Sequence, residues 1–93
     1  MTAPAKARRV ADIMTAHDPA QGDLDRAAAV SRIARRKGTL PAPLAEIRRQ
    51  CIARAREAHT LAEIGRQIQL TVPRVIQLLA QHRSRTGAGH DPA

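Results

Sequence analysis

TLAEIGRQIQLTVPRVIQLL, residues 60–79, holds two helix starts separated by a very short turn. Thr60-Leu61-Ala62-Glu63 has the form of a capping box. The Thr60 hydroxyl can accept from the Glu63 amide, and the Glu63 carboxylate can reach back to the Thr60 amide. Leu61, Ile64 and Ile68 then recur at helical spacing, which predicts a short helix over 60–68. Thr71 is the next N-cap, and Pro73 falls in a first turn, where its missing N–H costs nothing. A helix over 71–82 follows, with Val75, Leu78 and Leu79 turned inward. Gly65 leaves room for two helices to cross closely, and Leu70 plugs the Gln69-Leu70 turn into the core. Two helices so joined are expected to form a helix-turn-helix.

Upstream, Leu44, Ile47, Cys51, Ala55 and Ala58 form one helical stripe, which predicts a helix over 43–58. The expected fold is all-α, with a tri-helical helix-turn-helix core at about 43–82 behind one or two weaker helices. The first of these runs from about Lys6 to Ala16, with Val10, Ile13, Met14 and His17 on one side. His17 to Gly22 breaks it. The second starts at Asp23, taken as its N-cap, and ends at Lys37 before Gly38, a suitable C′ residue. Its apolar side is Leu24, Ala27, Ala28, Val30, Ile33 and Ala34. Arg26, Arg32, Arg35 and Arg36 lie on its outer side.

The chain has 93 residues, and 12 of its 18 Leu, Ile and Val lie between Leu44 and Leu79. That distribution divides it into a helical arm and linker at 1–43, a domain at 44–83 and a disordered tail at 84–93. The formal net charge is +8, and 14 of the 16 cations are Arg. This surplus favours an acidic partner, nucleic acid before others. No Phe, Tyr or Trp is present, so there are no stacking platforms for single strands. No apolar run reaches the roughly 18 residues of a membrane span, and no signal core follows Met1; a cytoplasmic protein with no membrane partner is expected. The single Cys51 cannot close an internal disulfide, and it lies on an apolar stripe, as a core thiol does. His17, His59, His82 and His90 have no ligand spacing, so no metal is expected. No nucleophile triad, paired carboxylates or phosphate loop stands out, so neither an enzyme nor a cofactor is expected. The Ala and Arg bias is similar to that of proteins from GC-rich genomes.

Thr60, Leu61, Glu63, Ile64, Gly65, Arg66, Ile68, Val75, Gln77 and Leu78 resemble the helix-turn-helix of the promoter-binding C-terminal region of bacterial sigma factors. They are also similar to small actinobacterial and phage regulators. Gln69 stands where that family has a turn glycine, and Val72, Pro73 and Ile76 are apolar at positions it keeps polar. The resemblance implies sequence-specific binding to double-stranded DNA, with the last helix in the major groove, and transcription regulation as the role. The base-contact candidates are Thr71, Val72, Pro73, Ile76, Gln77 and Gln81. The phosphate-contact candidates are Arg48, Arg49, Arg54, Arg66, Arg74 and Arg83. A homodimer is expected, because one small helix-turn-helix rarely binds tightly alone. The rival expectation is a protein-binding module, for example a phage factor docking on a host protein, with Val72, Pro73, Ile76 and Leu79 as its apolar face.

Overall fold

In the structure, a computed structural model, residues 5–86 are described, with the side chains of 10–84. The chain is all-α: α1 Ala5–His17, α2 Asp23–Lys37, α3 Ala42–Ala55, α4 Leu61–Ile68 and α5 Val72–Thr86. The expected tail therefore begins inside α5, and its part beyond Thr86 lies outside the described residues. No described helix is long and apolar enough to cross a membrane.

Local chemistry sets most boundaries. Gly38 takes φ 77 and ψ −12, and its N–H donates to the Ala34 carbonyl at 2.7 Å, closing α2. Pro41 caps α3 and Pro43 sits in its first turn. The Thr60–Glu63 capping box has both of its bonds, at 2.7 and 3.1 Å. Gln69 ends α4 in the left-handed region, φ 60 and ψ 45. Thr71 Oγ1 accepts from the Arg74 amide at 3.3 Å and so caps α5.

Two cores meet at Ile47. The larger joins Ala27 of α2, Cys51, Ile52 and Ala55 of α3, Ile64 and Ile68 of α4, and Val75 and Leu78 of α5. The smaller joins Ala16, Ala29, Val30, Ile33 and Leu44. α2 is therefore packed on α3 and α4. The boundary drawn at 43/44 from aliphatic counts runs through packed elements, because alanines supply much of the α2 face. Small side chains bury little area each, but they let helix axes approach closely.

Four details differ from expectation. Gly22, not Asp23, is the N-cap of α2; Asp23 Oδ1 instead accepts from Arg54 Nε at 3.0 Å. α3 ends at Ala55, and Ala58 is exposed, because the chain turns at Arg56 toward the Thr60 cap. Gly65 is needed against the turn more than against another helix: a Cβ there would lie 2.6 Å from the Leu70 carbonyl oxygen. α1 is rotated from its expected setting. Val10, Ile13 and Met14 are 50%, 41% and 67% exposed, while Asp12 and Ala16 are buried. Asp12 accounts for this, since its carboxylate meets Arg32 at 3.0 Å and Arg36 at 2.8 Å on α2. The Asp12 ion pairs dock α1 together with Ala16, which enters the smaller core and whose carbonyl accepts from Arg26 Nε at 3.0 Å.

Candidate nucleic-acid interface

α5 stands on its inward residues Val75 and Leu78, which are buried. Its outer surface carries two strips. Arg74, Gln77 and Gln81 recur at spacings of three and four and share one of them. Ile76, Ala80 and Arg83, spaced four and three, share the other. The first strip borders α3 and the end of α2; the second borders α3 and the start of α4.

On the polar strip, Arg74 Nη1 donates to Gln77 Oε1 at 2.7 Å. The bond joins two side chains about one helical turn apart. Gln77 keeps its amide N–H groups and one acceptor lone pair for a further partner. Gln81 is exposed one turn on, and exposed Thr71 and Pro73 lie at the N-terminal end of the helix. Val72 is half-buried.

Arg48 and Arg49 approach this strip from α3, yet each is only 6% exposed. Arg48 Nη1 donates to Ser31 Oγ at 3.3 Å, and Arg49 Nη2 meets Glu46 Oε1 at 2.8 Å. Burial, then the neighbouring Arg74 and Arg49 charges, pushes the Arg48 guanidinium below its ordinary value. Arg49 holds the Glu46 carboxyl below the usual carboxylate range. Both arginines were expected as open phosphate contacts. They are enclosed because α2 covers α3.

The other candidates are dispersed. Arg54 points to the start of α2, where its bond to Asp23 pushes it above its ordinary value, and it makes no approach to the polar strip. Arg66 is exposed on α4 beside His59, Glu63 and Gln67. Arg83 is exposed on the second strip. There Ile76, 49% exposed, faces a groove of about 420 Å³ with Ala53, Arg56, Leu61, Leu79 and Ala80. Leu79 is half-buried against the core, so Val72, Pro73, Ile76 and Leu79 do not form one open apolar face.

Cys51 is enclosed in the core, and burial pushes its thiol up. The residues that sequence reasoning passed over are Ser31 and Glu46, which hold the two buried arginines. The Ala27-Ala28-Ala29 run was the available signal, because it allows α2 to lie close over α3. Comparison with family models, with characterised proteins and with solved structures finds no match.

Proposed function

We propose that this chain binds double-stranded DNA, with α5 in the major groove, and acts in transcription regulation in the cytoplasm. The observation that carries the proposal is the polar strip Arg74–Gln77–Gln81, half-buried at Arg74 and exposed at Gln77 and Gln81, on a capped helix flanked by the arginines of α3. A helix presented on a rigid pair of helices is the element that fits the groove. Gln77 is the base-reading residue, suited to an adenine edge. Arg74, braced by Gln77, holds a phosphate beside it. Thr71 and Pro73 are further base contacts at the start of the helix, and Arg66 on α4 and Arg83 on the second strip contribute only through the overall positive field. The resemblance to the sigma-factor helix-turn-helix supports the same assignment. Because the reading strip is short, a second copy supplies the second half-site, and the exposed Val10, Ile13 and Met14 are the face it would cover.

The test is a fluorescence-anisotropy titration of random and selected duplexes across a salt series. Arg74→Ala lowers the slope of log K against log salt by about 1. Gln77→Ala costs roughly 1–3 kcal/mol on the selected duplex only. Their mutual hydrogen bond makes the double variant lose less than the sum. Absence of duplex binding at low salt, or parental binding by both variants, refutes the proposal.

The groove beside Ile76 favours a second reading, docking of an apolar helix from a host protein. On that reading Ile76→Glu abolishes biological activity, while Arg74→Ala and Gln77→Ala leave it intact.

A further inference from the structure

The end of α2, the α2–α3 loop, α3 and α5 enclose a cleft of about 290 Å³. Arg48, Arg49 and Arg74 line it together with Thr39 and Gln81, and no carboxylate does. Arg48 and Arg49 are more than nine-tenths buried, and the Nε of each has no hydrogen-bond partner. The acceptors of Arg48 and Arg74 are neutral, Ser31 and Gln77; Arg49 alone meets a carboxylate, Glu46. Three guanidiniums around one hollow thus share a single counter-charge. Buried donors left unpaired and like charges held together both cost free energy, and the fold maintains both here.

We propose that this cleft is a built site for one phosphate-class oxyanion. A tetrahedral oxyanion supplies the missing negative charge and enough acceptors for several guanidinium forks at once. Arg48 and Arg49 line the cleft with guanidiniums whose Nε–H groups are unpaired, so their rearrangement on binding would give those donors a partner. The Thr39 hydroxyl and the Gln81 amide add neutral donors at the rim. The same chemistry serves a free phosphate or phosphomonoester and a backbone phosphate of a duplex lying along α5. The site goes beyond the DNA reading, since it takes inorganic phosphate with no duplex present.

Thermal melting of the full chain in sodium phosphate, against sodium chloride at equal pH and ionic strength, tests this. Phosphate gives a saturable rise in Tm, as a ligand of the native state does. Arg74→Gln and Arg48→Gln lose that rise; Arg35→Gln, exposed on α2 and not lining the cleft, retains it. Without phosphate, Arg74→Gln melts at or above the parent because a like charge is gone, which separates a lost site from a lost fold. A rise no larger than in chloride, or one kept by both cleft variants, overturns the proposal. Duplex titrations then identify the source. Phosphate that competes with duplex in the parent but not in Arg48→Gln marks a backbone-phosphate site; phosphate that binds alongside duplex marks a free-anion site. A phosphate response with no duplex binding leaves this site standing and removes the DNA reading.

Discussion

Gly65→Ala is the most direct probe of the turn between α4 and α5. The added methyl would lie 2.6 Å from the Leu70 carbonyl oxygen and 3.8 Å from Val75 Cγ2. Relief requires the turn to retreat by several tenths of an ångström. The turn is tethered to the same residue, since the Leu70 and Gln69 amides both donate to the Gly65 carbonyl. Alanine gains about 1 kcal/mol of helix propensity over glycine. Against this stand an overpacking cost of about 1–3 kcal/mol, occasionally more, and about 1 kcal/mol for a stretched hydrogen bond. The net expectation is a loss of about 1–3 kcal/mol, a fall in Tm of roughly 5–20 °C in a domain this small. Circular-dichroism melts and urea titrations read it, with an unchanged m-value showing that the unfolded reference has not moved. Gln69→Gly is the companion. It relieves the left-handed strain at φ 60 and is expected to raise stability by up to about 1 kcal/mol. A Gly65→Ala protein as stable as the parent would refute the close approach, and with it the geometry that sets α5 on α4.

Leu78→Ala, at a fully buried position, is expected to cost about 2–4 kcal/mol in a urea titration. Asp12→Ala removes the acceptor of Arg32 and Arg36 and is expected to cost about 1–2 kcal/mol, discounted for the partial exposure of both arginines. Hydrogen exchange should show the loss as faster exchange in α1, with α4 and α5 unchanged. The lowered carboxyls of Glu46 and Glu63 stabilise the fold above their ordinary value of 4.5, and that stability disappears as pH falls through the lowered values. Melting temperature should therefore drop on the acid side, with a shallower slope in Glu46→Gln.

The helix-turn-helix was legible because its signals are local. Thr60 with Glu63, Thr71 with Pro73, and the spacing of Ile64, Ile68, Val75 and Leu78 each constrain a few neighbouring residues. What the sequence concealed depends on partners distant in the chain. The setting of α1 follows from Asp12, whose partners lie 20 and 24 residues on, and from Ala16, which packs against Ala29, Val30, Ile33 and Leu44, so the Val10–Ile13–Met14 stripe pointed the wrong way. Ile52 lies one position off the α3 stripe and is nonetheless buried, since α2 covers one side of α3 and α5 the other. The same cover encloses Arg48 and Arg49, which in sequence resemble any solvated arginine pair. At the candidate site, Gln77 and Gln81 are exposed as their helical positions imply, whereas the bond joining Gln77 to Arg74 is a rotamer choice that spacing permits without requiring.

On the proposed function, duplex DNA meets the polar strip of α5. Amide and side-chain NMR shifts of the 15N-labelled chain, recorded as a duplex is added, locate the contact residue by residue. Perturbations are expected to concentrate on Thr71, Arg74, Gln77 and Gln81 and to extend to the side chains of Arg48 and Arg49. Shifts confined to Val10, Ile13 and Met14, shifts centred on the groove beside Ile76, or none at all would contradict it.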